Sequence, residues 1–211
     1  MLESKGISQA VIARLPRYYR YLGDIQETGI TRISSSALSK KMNVTASQIR
    51  QDLNNFGGFG QQGYGYNVEF LRNEIGKILG LDASHNIVVI GAGNLGQAIA
   101  KYTAFERSGF FIVGIFDNDP KYMGTSIRGI PILMMEELDS FLKKNKVDIA
   151  ALTIPRSALN DVTSILVKNN IKSFLNFVLT DLNLPEDVVV ENVHLSDSLM
   201  KLSYSMKKKQ S

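Results

Sequence analysis

Residues 87–96 read IVVIGAGNLG, an unbroken apolar run that closes on Gly91, Gly93 and Gly96. A short apolar run bounded by glycines suits a strand buried on both faces, and the G-x-G-x-x-G spacing suits the turn from that strand into a helix. The first glycine permits the tight turn, the second lets a pyrophosphate approach the backbone, and the third packs the helix against the strand. The helix start then offers free N–H groups and the positive end of its dipole to that phosphate. Asp117 stands 21 residues beyond Gly96, at the end of the next apolar run, FFIVGIFDND. That is close to the roughly 20 residues at which an acid reaches a ribose diol. A carboxylate there repels a 2′-phosphate, so these residues point to NAD(H) over NADP(H). The competing role for Asp117 is to cap the turn before Pro120.

The rest of the composition narrows the choice. A chain of 211 residues has room for two small domains, and 44% hydrophobic residues suffice for their cores. No window approaches the ~18 apolar residues of a membrane span, and the polar opening MLESKGISQA lacks the apolar centre of a signal peptide. A cytoplasmic protein is expected. With no cysteine and only His85 and His194 as imidazoles, disulfides, thiolate chemistry and a transition-metal site are not expected. The formal net charge of +4 is unevenly spread: residues 1–80 hold 10 Lys+Arg against 6 Asp+Glu, and the remainder holds 14 of each. A basic N-terminal part joined to a neutral nucleotide-binding part suggests that the first part meets a polyanion.

Within residues 7–27, Val11, Ile12, Leu15, Tyr18, Tyr19, Leu22 and Ile25 recur at helical spacing, which predicts one long helix kinked at Pro16 and ended by Gly29. SSSALSKKM opens with N-cap residues and predicts a second helix through about Met42, followed by a tight turn at Asn43 and Val44. Thr45 opens a third helix, with Gln48 placed to complete a capping box. Two short helices joined by a turn of this length outline a helix-turn-helix. On the third helix Ile49 and Leu53 share one face with Val44 and Phe56, while Ser47, Arg50, Gln51 and Asn54 share another. Arginine suits guanine edges, and glutamine and asparagine suit adenine. FGGFGQQGYGY, residues 56–66, interleaves five glycines with aromatic and amide side chains, and a β-hairpin wing fits it better than a flexible linker. Asn67 then caps a helix ending at Gly80.

From Asn86 onward, apolar strands alternate with amphipathic helices, as parallel βαβ units do. Ligands of such sheets lie at the carboxyl ends of the strands, which gives one cleft walled by residues 91–96, Asp117, residues 153–156, Asn176 and Phe177. The tail carries Leu199, Leu202 and Met206 on one stripe and finishes in KKKQS. A lone short helix is marginal, so the stripe should be buried against its own sheet or a second subunit. The fold class is therefore α/β: a winged helix-turn-helix domain at 1–82, a Rossmann-like parallel-sheet domain at 83–194, and a C-terminal helix at 195–211. Acid–base groups are sparse. Tyr204 and Lys208 have the spacing some dehydrogenases use but sit in a lysine run, and His194 has no evident orienting partner. Two other readings stay open: a small NAD-dependent dehydrogenase, and a transcription factor whose Rossmann domain takes another nucleotide-like ligand such as coenzyme A.

Taken in order, ARLPRYYRYL, RISSSALSKKMNVTASQIRQDLNNFGGFGQQGYGY, IVVIGAGNLGQAIAKY, GIFDNDP, ALTIPR, LNF and ENVHLSDSLMKLSYSM resemble the Rex redox-sensing transcriptional repressors over nearly the whole chain. The resemblance implies a homodimer, with its C-terminal helices exchanged, that binds a palindromic DNA operator when NAD+ prevails and leaves it when NADH binds. It implies no catalytic residue. The expected DNA contacts are Ser34, Ser35, Thr45, Ser47, Gln48, Arg50, Gln51 and Asn54, with Phe59, Gly60, Gln61, Gly63 and Tyr64 from the wing. The expected contacts to NADH and NAD+ are Gly91, Ala92, Gly93, Asn94, Leu95, Gly96, Tyr102, Asp117, Thr153, Pro155, Asn176 and Phe177. Arg20, Tyr102, His194 and Asp197 match or neighbour positions tied to switching. The chain departs from the family pattern at Gln51, Asn54 and Asn55, where lysine and a serine–tyrosine pair are usual. It departs again at His194, where aspartate is common and where Asp197 could substitute in a pairing with Arg20.

Overall fold

The computed structural model describes residues 7–57, 59–61 and 64–210. The chain divides between Ala83 and Ser84 into two compact units. The first contains α1 (Gln9–Ile12), α2 (Leu15–Glu27), β1 (Arg32–Ile33), α3 (Ser35–Met42), α4 (Ala46–Asn54), β2 (Gly60–Gln61), β3 (Gly65–Asn67) and α5 (Val68–Ile78). The expected single long helix is in fact two. Pro16 lacks an N–H and its ring crowds the carbonyl four residues back, at Ile12, so α1 ends there. The chain starts again with Pro16 in the first turn of α2, where the missing N–H costs nothing.

Ser34 caps α3, its hydroxyl accepting from the Ala37 N–H at 3.0 Å, and Thr45 caps α4 by accepting from the Gln48 N–H at 3.0 Å. Between them Asn43 takes the left-handed conformation, φ 52°, which ends α3 and aims α4 away from it. The capping box expected at Thr45 is half formed. The Gln48 side chain turns instead to Asp52, donating at 2.7 Å. The wing is present: β2 and β1 flank β3 in an antiparallel sheet ordered β1-β3-β2. Leu15, Tyr18, Leu22, Ile25, Leu38, Ile49, Leu53, Leu71 and Ile75 close the core beneath it.

The second unit is built on β4 (His85–Ile90), α6 (Asn94–Lys101), β5 (Phe110–Asp117), β6 (Ser126–Ile127), β7 (Ile130–Met134), α7 (Leu138–Lys144), β8 (Ile149–Leu152), α8 (Leu159–Lys168), β9 (Ser173–Asn176), β10 (Val189–Asn192) and α9 (Leu195–Gln210). The sheet runs β10-β9-β8-β4-β5-β7-β6, parallel except for β6 against β7. Leaving out the short β6, this is the doubly wound order of a Rossmann fold, reversing direction at β4. Both faces are covered: Val88 and Ile90 enter one core and Ile87 and Val89 the other, as an apolar run without alternation requires. α6 stops at Lys101, and a 3₁₀ turn over Thr103–Ser108 leads to β5.

Candidate functional site

The glycine turn lies where the sheet reverses, between the carboxyl ends of β4 and β8. Its three glycines meet different surroundings. Gly91 has φ +102°, and a Cβ there would come within 2.7 Å of the Thr153 carbonyl. At Gly96 a Cβ would lie 1.8 Å from the Gly91 carbonyl oxygen, so α6 approaches the turn as only glycine allows. A Cβ on Gly93 meets nothing within 4 Å. The first and third glycines thus serve the turn, and the second leaves room outside it. Gly93, Asn94 and Leu95 are exposed at the start of α6, while Ala92 is buried beneath them.

Outside the turn is a cleft of about 640 Å³ walled by Gly91, Gly93, Asp117, Thr153 and Pro155, together with residues not anticipated from sequence, among them Asp119, Lys121, Tyr122 and Met135. A volume of this order suits a nucleotide-sized ligand. Asp117 ties the loops together: Oδ2 accepts from the Ala92 N–H at 2.5 Å and Oδ1 from the Asp119 N–H at 2.8 Å. The turn-capping role is therefore filled, and each carboxylate oxygen keeps a lone pair for a diol. Lys121 pairs with Asp119 and stacks on Tyr122. The Thr153 hydroxyl is within 2.9 Å of both the Ile90 and Gly91 carbonyls, fixing the cleft floor. The residues present fit a dinucleotide: open space at Gly93, helix N–H groups beside it, and a carboxylate at the end of β5.

Three expected contacts stand elsewhere. Asn176 is fully buried, and its amide is used internally, donating to the Val178 and Thr180 carbonyls and to Asn192 Oδ1 while accepting from the Val178 N–H. It holds the segment after β9 against β10 and does not wall the cleft. Phe177 is half-buried and packs against the sheet core. Tyr102 is 57% exposed at the end of α6, edge-on to Phe105 with centroids 4.9 Å apart. Of the other switch candidates, Arg20 is exposed on α2 with its guanidinium 5.6 Å from the Tyr21 ring. His194 Nε2 lies 3.0 Å from the Val178 carbonyl, and Nδ1 lies 3.8 Å from Asp197 in the first turn of α9.

In the first unit, α4 turns Ser47, Arg50, Gln51 and Asn54 outward around a shallow concavity that Asn55 completes, while Ile49 and Leu53 are buried. Arg50 is steadied by donating to the Ser35 hydroxyl at 3.0 Å. Ser34 and Thr45 spend their hydroxyls as caps. Gln48 faces Asp52, away from the outward set. In the wing, Tyr64 is 70% exposed and its carbonyl accepts from Arg32 at 3.3 Å. Phe59 points inward, against the core and edge-on to Phe70. Gly60 and Gln61 form β2, and Gly63 lies outside the described residues. Among the described residues no cluster of acidic or imidazole side chains could hold a metal ion.

Comparisons with known proteins match two separate parts of the chain. Residues 6–54 match the model of a putative DNA-binding protein N-terminus, and residues 82–180 match a CoA binding domain. The redox-sensing transcriptional repressor Rex of Thermoanaerobacter pseudethanolicus is 55% identical over 98% of this chain and 92% of its own length. The Rex of Clostridioides difficile is 56% identical over 98% and 99%. Among solved structures, RSP in complex with β-NAD+ and operator DNA superposes with a TM-score of 0.91 at 54% identity, covering 98% of this chain and 95% of its own. RSP in complex with β-NADH gives 0.88 at 52%, covering 97% and 96%. With a winged helix, a dinucleotide-type cleft and this identity over nearly its full length, the chain belongs to the Rex family of redox-sensing transcriptional repressors.

Proposed function

We propose that the chain represses transcription by binding a palindromic operator as a homodimer and leaves it when NADH enters the cleft, so that expression follows the NADH/NAD+ ratio. The observation that carries this reading is the pairing, on one chain, of an outward face of Ser47, Arg50, Gln51 and Asn54 with a glycine-turn cleft capped by Asp117. RSP, 52–54% identical, has been solved with β-NAD+ and operator DNA and with β-NADH. Gly93 and the α6 N–H groups would hold the pyrophosphate, Asp117 a ribose, and Thr153 and Pro155 the far wall. The bound dinucleotide supplies its redox state, since oxidised nicotinamide is cationic and the reduced ring is neutral. Apolar surroundings disfavour an uncompensated cation. Apolar surroundings at the nicotinamide would favour NADH, and that difference in affinity shifts the population of dimer conformations. The protein would act in the cytoplasm; no helix among the described residues is long and apolar enough to cross a membrane. The test is to titrate a labelled palindromic DNA complex with NADH and NAD+ separately. NADH should raise the operator dissociation constant far more than NAD+ does, and equal effects at saturation would sink the sensor reading.

A further inference from the structure

Asp52 is the one acidic side chain among the described residues that is fully buried, and it sits on α4, the helix that carries the outward set. Its two oxygens accept four hydrogen bonds. Oδ2 takes Arg14 Nε at 2.6 Å and the Tyr18 hydroxyl at 2.8 Å; Oδ1 takes Arg14 Nη2 at 2.7 Å and Gln48 Nε2 at 2.7 Å. Arg14 lies in the break between α1 and α2, and Tyr18 one turn into α2. The fork of Arg14 against the carboxylate fixes direction as well as distance, because two parallel N–H···O bonds hold two planes together.

The position of this knot relative to the outward face matters. At about 100° per residue, Ser47, Arg50 and Asn54 fall about 140–160° from Asp52, on the opposite side of α4, and Gln51 about 100° away. Apolar contacts at Ile49 and Leu53 press α4 onto the core, but they are tolerant of small rotations about the helix axis. A bidentate ion pair is not. A rotation of 15° at the ~5–6 Å reach of an outward side chain moves its tip by more than 1 Å, enough to spoil base-edge hydrogen bonds while leaving phosphate contacts in range.

We propose that the Arg14–Asp52 fork, completed by Tyr18 and Gln48, is the positioning device that sets the rotation of α4 and with it operator selectivity. This rests on α4 reading DNA, and it makes Gln48 a part of the clamp and not a base-reading residue. The fork is a positioning pair and touches no ligand itself.

The test uses the full-length protein with Asp52→Asn and, separately, Arg14→Lys, which keeps the charge but cannot form the fork. Helix content and a cooperative melting transition of the winged-helix unit certify that each variant is folded. Affinity is then measured for the operator and for random duplex DNA of equal length at one salt concentration. Operator affinity should fall about tenfold or more, while random-DNA affinity stays within about twofold, so the ratio between them collapses. If Asp52→Asn does not fold, Arg14→Lys decides by the same criterion. A folded variant whose operator-to-random ratio equals that of the wild type overturns the clamp. If the wild type itself shows no preference for the operator, the failure lies with the proposed function.

Discussion

At the scale of single residues, the glycine turn separates roles that its motif runs together. Gly93 has φ −66° and open space where a Cβ would go, so Gly93→Ala should fold as well as the parent. It should nonetheless weaken dinucleotide binding, since the new methyl occupies the space through which the pyrophosphate approaches. Gly96→Ala drives a Cβ to 1.8 Å from a carbonyl oxygen and should lower the thermal midpoint before binding is even considered. Melting curves set beside NADH titrations for the two variants distinguish the cases; equal melting losses would show that Gly93 is structural too. Arg50 is the corresponding residue on α4. Arg50→Ala should cost ~1–3 kcal/mol on the operator and relax base preference. Operator and random-sequence affinities compared side by side measure this, and an equal loss on both would make Arg50 a phosphate contact.

At the scale of elements, Asp52 also governs how α2 and α4 hold together as pH changes. Burial pushes its carboxyl up, but the hydrogen bonds from Arg14, Gln48 and Tyr18 outweigh burial and hold it below the ordinary carboxylate range. A depressed folded value means that the stabilisation is present in full above the unfolded value of ~3.9 and is lost as pH falls through the folded value. Because Arg14 is 28% exposed, removing the carboxylate at neutral pH costs less than the roughly 3–5 kcal/mol of a fully buried pair. Hydrogen-exchange protection of α2 and α4 amides should therefore differ strongly between wild type and Asp52→Asn near pH 7. The gap should narrow below about pH 4, and a gap that stayed constant across that range would remove Asp52 from the account. This knot was not legible in the sequence. Asp52 follows Gln51 on an amphipathic helix whose apolar face is supplied by Ile49 and Leu53, and its partner Arg14 lies 38 positions away, where no periodicity connects them. The glycine turn, the helix-turn-helix and strands β4, β5, β8 and β9 were legible, because each is a local pattern dense in apolar residues. β6, β7 and β10 carry no such signal: β6 is two residues long, β7 carries Pro131, and β10 is a mostly exposed edge strand. Asn176 was misplaced for a related reason, since a strand's carboxyl end locates a residue but does not say whether its amide is already spent within the fold.

At the scale of the whole molecule, α9 presents a face that one chain leaves bare. Leu199 is 67% exposed, and Leu195, Met200, Leu202 and Met206 are similarly open. A helix of 16 residues with this much apolar surface in water is marginal by itself, and an exposed patch of that kind marks an interaction site. A second copy of the chain covering the stripe would stabilise the helix and make the dimer obligatory. Burying one leucine contributes about 1.5–3 kcal/mol, so Leu199→Glu, harmless to an isolated exposed helix, should weaken subunit association by a comparable amount. The consequence extends to DNA, because a palindrome rewards two linked winged helices far more than one. Moving from a 1:99 to a 99:1 balance of operator-competent and released dimers takes about 5.5 kcal/mol of ligand preference, and such a balance exists only while the subunits stay joined. Light scattering across a dilution series should therefore show Leu199→Glu dissociating at concentrations where the parent remains dimeric, with operator affinity falling in parallel. A variant that stayed dimeric and repressed normally would mean that the stripe is covered by some other surface.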